Sequence, residues 1–148
     1  MRIRPIEKRD RATWLRMRGV LWPVPDGSSH AEDIDAFFNG TSRDPAAVLV
    51  VEDESDQVLG FSELSLRSHA EGCSSYPVAY LEGWYVKPET RRRGAGRALV
   101  EGAQAWARAK GCIEFASDAD LTNDPGIRAH LAVGFTRAGW IACFRKTL

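Results

Sequence analysis

Apolar positions along the chain change period several times, and each change marks an element. Residues 3–6, Ile-Arg-Pro-Ile, read as a short first strand. Trp14, Met17 and Leu21 recur at spacings of three and four, which predicts an amphipathic helix with Asp10 as its N-cap and Pro23 and Pro25 as its stop. Residues 26–29 read as a loop. A second, shorter helix is expected over 31–38, with Ile34, Phe37 and Phe38 inward and Gly40 just past its end. The pattern then becomes apolar and β-branched over 46–52, a buried strand, and partly alternating over 58–66, its hairpin partner across the polar turn 53–56. A third long strand is expected over 78–86. A helix follows over 94–110 with Ala95, Leu99, Gly102, Ala103 and Trp106 on one face. Residues 113–117 read as a short strand, and 125–133 as a helix with Ile127 and Leu131 inward. Residues 135–137 and 140–146 close the chain as a hairpin around Gly139.

The resulting order is β α α β β β α β α β β. It implies an α/β (α+β) fold with a mixed central sheet of six to seven strands and about four helices. With no internal repeat and no linker, residues 1–148 are expected to form one domain, as the length also suggests.

Charge narrows the partners. Lys+Arg 20 balances Asp+Glu 20, which argues against a generic nucleic-acid binder. The longest apolar runs, 46–51 and 77–81, fall far short of the roughly 20 residues that span a bilayer. The first residues, Met-Arg-Ile-Arg-Pro, contain no apolar secretion segment. Cys73, Cys112 and Cys143 form no CxxC pair and no metal-ligand spacing, and an odd count suits reduced thiols. The expectation is a cytoplasmic protein without metal, membrane or nucleic-acid partner.

The chemistry is concentrated in residues 86–99, Val-Lys-Pro-Glu-Thr-Arg-Arg-Arg-Gly-Ala-Gly-Arg-Ala-Leu. A strand ends, arginines follow, and two glycines open a helix. Gly94 and Gly96 leave room for a ligand against the backbone. The first N–H groups of a helix are unpaired, and its dipole places about half a positive charge there. Together they suit a pyrophosphate. Arg91, Arg92, Arg93 and Arg97 add formal charge. No Gly-Lys-Ser/Thr follows, so this is not a P-loop. The third glycine of the dinucleotide fingerprint is also missing.

With Arg91-Arg92-Arg93-Gly94-Ala95-Gly96 placed between strand and helix, the sequence resembles the GCN5-related N-acetyltransferases, whose signature is Arg/Gln-x-x-Gly-x-Gly/Ala after the fourth strand. Residues 113–117, Asn123 and Gly134-Phe135 match the family's later landmarks. The resemblance implies acetyl-coenzyme A, with its pyrophosphate on the amides of Arg92, Arg93, Gly94, Ala95, Gly96 and Arg97. It also implies a pantetheine arm along Trp84, Tyr85 and Val86. Finer matches point to one branch, the aminoglycoside 6′-N-acetyltransferases. They are Leu21-Trp22-Pro23, the loop 72–78, Leu81-Glu82-Gly83-Trp84-Tyr85-Val86, Lys110-Gly111-Cys112, Ala116-Ser117-Asp118, Asn123, His130 and Phe144-Arg145-Lys146. That branch implies Trp22, Glu82 and Asp118 at the aminoglycoside, Asn123 on coenzyme A, and a homodimer.

Aminoglycosides are polycations, so carboxylates in the cleft fit. Asp26, Glu32, Asp33 and Asp35 could extend an acidic rim that steers the substrate. Direct transfer requires a group to take the amine proton, Asp118 first and Glu82 second. A backbone N–H within residues 84–86 is the candidate donor to the oxyanion. His130 stands where the family often places the tyrosine that protonates the leaving thiolate. Two positions depart from the branch. His69 replaces a loop aromatic, though it could still stack on or hydrogen-bond a sugar, and Gly139 removes an acid. Competing readings are acetylation of another amine (a polyamine, a small amine or a protein amine) and a non-catalytic acyl-CoA-binding module.

Overall fold

The computed structural model describes residues 1–24 and 28–148. Its elements run β1 (Arg2–Pro5), α1 (Arg11–Leu21), α2 (Ser28–Phe38), β2 (Ala47–Glu52), β3 (Val58–Arg67), β4 (Val78–Val86), α3 (Ala95–Ala109), β5 (Phe115–Ser117) and α4 (Asp124–Ala132), with 3₁₀ turns at Lys8–Asp10 and Pro88–Thr90. The sheet has the order β1-β2-β3-β4-β5, antiparallel throughout except for the parallel β4–β5 pair.

The unbroken apolar run of β2 follows from cover on both faces. Val48 and Val50 pack with Trp14, Met17, Ile34 and Phe61 beneath α1 and α2. Leu49 and Val51 point the other way, against Ala95, Leu99, Val100 and Ala103 of α3. Strand alternation thus feeds two cores, one on each side of a single sheet.

Asp10 occupies the N-cap position of α1 but does not cap it with its side chain. Its carboxylate accepts from the Glu7 N–H and from both terminal nitrogens of Arg4. Arg4 also pairs with the shielded carboxylate of Glu52 at 2.8 Å, so the cluster ties β1, β2 and the first turn together.

Three expectations are corrected. The sheet has five strands, not six to seven. The expected hairpin over 135–137 and 140–146 carries no strand. An isolated hairpin is marginal in water; here Trp140, Ile141 and Phe144 are exposed, while Phe135 packs on Phe115 and His130 instead. Leu131 is 49% exposed rather than inward, because the C-terminal end of α4 meets the core through His130, Val133 and Phe135.

Candidate functional site

The turn between β4 and α3 is shaped by backbone conformation. Arg92 has φ +62° and Gly94 φ +92°, both in the left-handed region, and only glycine adopts it without cost. Alternation of this kind turns successive N–H groups toward one concavity. The N–H groups of Gly94, Ala95, Gly96 and Arg97 have no protein acceptor among the described residues, and Ala98 is the first to pair, with the Gly94 carbonyl at 2.9 Å. Gly94 has no side-chain cap to satisfy them. This is an anion cradle at the head of a fifteen-residue helix.

Gly96 has a different reason. A methyl there would come within 2.9 Å of the Trp84 ring, so its smallness serves packing on β4 as well as ligand approach. The arginines also divide. Arg91 donates to the Val86 carbonyl at 2.9 Å, and Arg97 donates to the Ala132 carbonyl at 2.9 Å, binding α3 to the end of α4. The side chains of Arg92 and Arg93 are exposed and have no hydrogen-bond partner among the described residues.

Next to the cradle the sheet forks. β4 pairs with β5 only at Ala79↔Phe115, Tyr80↔Ala116 and Leu81↔Ser117. From Glu82 onward β4 has no strand partner on its β5 side among the described residues, because the chain leaves β5 for α4; only the Val86 carbonyl is covered there, by Arg91. The Trp84 indole N–H is buried there without an acceptor among the described residues. A buried donor left unpaired is costly, so this one suits a ligand carbonyl. The donor-rich cradle, the open strand edge and the orphaned indole together fit a diphosphate with an amide-bearing arm.

His130 closes the fork from α4. Its Nδ1 lies 2.7 Å from the Gly126 carbonyl, which can only accept, so Nδ1 carries a proton. Its Nε2 lies 2.9 Å from the Ser117 hydroxyl, which is 3.0 Å from the Leu81 carbonyl. Asn123 caps α4, its side-chain oxygen accepting from the Gly126 N–H at 3.0 Å.

On the α1–α2 side of the sheet lies a cavity of about 630 Å³, lined among others by Trp22, Asp33, Asp44, Glu63, Arg67 and Glu82. A bulge presents Glu82 to it. The β3–β4 register steps from Glu63↔Gly83 to Leu64↔Leu81, leaving Glu82 as the extra residue. Gly83 makes room for the ring of Trp22, which a Cβ would meet at 2.2 Å.

Two arginines balance the cavity's carboxylates. Arg18 reaches Glu63 at 2.8 Å and Asp33 at 3.0 Å, with its guanidinium against Trp14 and Trp22. Burial pushes the Glu63 carboxyl above the usual range; the Arg18 charge and the Trp14 N–H only partly offset it. Arg67 forks onto Glu82 at 2.6 and 2.9 Å, and this pairing raises the guanidinium. The Ser65 hydroxyl also donates to Glu82. Arg67 lies 3.5 Å over the Tyr80 ring, and the Tyr80 hydroxyl donates to Asp118 at 2.7 Å. Burial first, and this bond second, push the Tyr80 phenol well above its ordinary range.

Glu82 and Asp118 thus belong to one network through Arg67 and Tyr80, although Asp118 does not line the cavity. Of the expected acidic rim, Asp33 lines it, Asp35 pairs with Arg11 at 2.6 Å, Glu32 is exposed, and Asp26 lies outside the described residues. His69 is exposed beside Glu71 and away from the cavity. Sequence reading missed Glu63, Ser65, Arg67 and Tyr80. The first three were signalled by polar residues at alternate positions of an otherwise apolar strand.

Comparison with known proteins places this geometry. Residues 13–135 match the model of the acetyltransferase (GNAT) family. An aminoglycoside N(6′)-acetyltransferase type 1 of Klebsiella aerogenes is 51% identical over 146 residues, covering 99% of this chain and 96% of that one. The apo crystal structure of the aminoglycoside 6′-N-acetyltransferase AAC(6′)-IG from Acinetobacter haemolyticus superposes with a TM-score of 0.90 at 31% identity, covering 100% of this chain and 99% of the other. The structure of AAC(6′)-Iy in complex with the bisubstrate analogue CoA-S-monomethyl-acetylneamine superposes with a TM-score of 0.89 at 30% identity, covering 99% and 98%. An anion cradle and a forked sheet, in a chain aligned almost end to end with these enzymes, make it a member of the acetyltransferase (GNAT) family.

Proposed function

We propose that residues 1–148 act as one domain that transfers the acetyl group of acetyl-CoA to the 6′-amine of an aminoglycoside, directly and within a ternary complex. One observation carries the reading. Glu82 both lines the carboxylate-bearing cavity and sits one residue beyond the last β4–β5 pair, so the cavity for a cation opens at the mouth of the fork. Both GNAT-family membership and the 51% identical relative agree with it.

In this reading the N–H groups of residues 94–97 hold the diphosphate, with Arg92 and Arg93 free to add charge. The unpaired edge of Trp84, Tyr85 and Val86, with the Trp84 indole, aligns the pantetheine arm. Acetyl-CoA supplies the activated acyl group. Trp22, Glu82 and the cavity acids hold the ammonium groups. Asp118 takes the proton from the reacting amine: its Oδ2 is occupied by Tyr80, while Oδ1 has no partner among the described residues. Both oxygens of Glu82 are already engaged. A backbone N–H of residues 84–86 faces the developing oxyanion. His130, held by Gly126 and Ser117, protonates the leaving thiolate.

A thiol-release assay with kanamycin, tobramycin, spermidine and a lysine peptide, with the site of acetylation assigned by NMR, tests this. Turnover of the aminoglycosides at the 6′-amine well above the others is expected; preference for spermidine or the peptide overturns it. The same reading includes a homodimer, supported by Trp140, Ile141, Phe144 and Leu148, which leave apolar surface in water near the C-terminus. Light scattering at twice the chain mass checks it. The cytoplasm, where acetyl-CoA is made, is the proposed location; no helix of the described residues is long and apolar enough to cross a membrane.

A further inference from the structure

The cavity's two arginines are held very differently. Arg18 is 11% exposed, pairs with two carboxylates and lies against two indole rings. It is a fixed part of the wall. Arg67 ends β3, is 41% exposed, pairs among the described residues with Glu82 alone and rests on one ring. Its long stem can swing into solvent without disturbing the core.

Each Glu82 oxygen already accepts at least one bond. Oε1 accepts from Ser65 and from Arg67 Nε, and Oε2 accepts from Arg67 Nη2 at 2.6 Å. A cation entering the cavity therefore finds its anchor already neutralised. Among the carboxylates that line the cavity, Glu82 is the one next to the last β4–β5 pair, so this is the anchor on which a productive pose depends.

We propose that Arg67 is an internal counter-cation for Glu82, displaced by a substrate ammonium, and that it sets which amines the cavity accepts. This rests on the reading of the cavity as the amine site. Binding then exchanges one charge-assisted pair for another rather than adding one. A monoamine gains little from that exchange. A polycation displaces Arg67 because its other ammonium groups are held at the same time by further acids of the wall: Asp44, which has no ion-pair partner among the described residues, and Asp33, which shares the single charge of Arg18 with Glu63. Arg67 thus acts as a threshold that favours polycations over simple amines.

Calorimetry of kanamycin and of glucosamine, a monoamine sugar, against wild type, Arg67→Met and Arg67→Lys tests the proposal. Met keeps the stem over Tyr80 and removes the charge. Arg67→Met is expected to bind kanamycin about five- to tenfold more tightly, with a steeper loss of affinity as salt rises. Glucosamine binding should become measurable, Arg67→Lys should fall between, and the KM for acetyl-CoA should not move. Unchanged or weaker kanamycin binding, in an enzyme whose wild type still acetylates it, overturns the counter-cation alone. Failure of wild type and variant both to bind or acetylate kanamycin overturns the amine-site reading and this proposal with it. Should Arg67→Met melt early, Arg67→Gln is read by the same criteria.

Discussion

The cradle at the head of α3 and the cavity beneath α1 and α2 solve opposite electrostatic problems by different means. The cradle attracts an anion with main-chain N–H groups that the helix leaves unpaired, so its geometry depends on φ angles and on the glycines at 94 and 96 rather than on charged side chains. The cavity attracts a cation with carboxylates drawn from β3, β4 and α2, each partly neutralised by an arginine. One is preorganised and positive by construction. The other is a balance of side chains, which single substitutions can retune. The cavity is therefore where specificity within such a family can vary while the donor site stays the same.

Substitutions should separate the halves. The largest effect is expected on the acceptor side. Asp118→Ala should lower kcat/KM for an aminoglycoside by about 10²–10³-fold while leaving acetyl-CoA binding intact; steady-state kinetics with each substrate varied in turn checks this. Next is the cradle. Arg93→Glu places an anion beside the expected phosphates and should raise the KM for acetyl-CoA about tenfold or more. The amine KM should stay put, and an equal rise in both would erase the distinction between halves. Tyr80→Phe removes the hydroxyl that orients Asp118 and should reduce kcat by about threefold to tenfold with little change in either KM.

A fourth prediction sets a baseline away from both halves. In the Arg4–Asp10–Glu52 cluster, burial pushes Asp10 up. The Arg4 bond, the Glu7 N–H and the charges of Arg4 and Arg9 outweigh it and leave Asp10 below the usual carboxylate range. Glu52 is held low chiefly by its Arg4 bond, against burial and with help from Arg2. Groups whose folded pKa is depressed contribute stability above their unfolded values, near 4, and lose it as pH falls through the folded values. The cluster's share of the melting temperature, read as the difference between wild type and Asp10→Asn, should therefore be constant above about pH 5 and shrink below about pH 4. Asp10→Asn should cost about 3 kcal/mol at pH 7 in chemical denaturation, with the gap to wild type narrowing in acid. Neither KM should change.

The legible parts share a cause. The order of the strands up to β5, the burial of Leu99 and Ala103 and the position of the cradle all follow from local periodicity and from Arg-x-x-Gly-x-Gly, in which the unpaired N–H groups are consecutive in the chain. The hairpin around Gly139 failed as an expectation because β-propensity does not show whether a sheet edge is there to join. The arginines were read as equivalent, yet Arg97 is spent on the Ala132 carbonyl and Arg91 on Val86, contacts that exist only once α4 and β4 are in place. Alternation marks Arg67 as a face position of β3 but not its role, which lies in Glu82, fifteen residues away in the chain.

The sequence by itself determined the alternation that feeds two cores, the helix that begins with unpaired amides, and the family, since each is written in neighbouring residues. Only the tertiary structure decided which carboxylates are available and which are already paired. That outcome depends on a bulge that turns Glu82 out of register and on long side chains meeting across strands, and Coulomb energy is set by distances in space rather than along the chain.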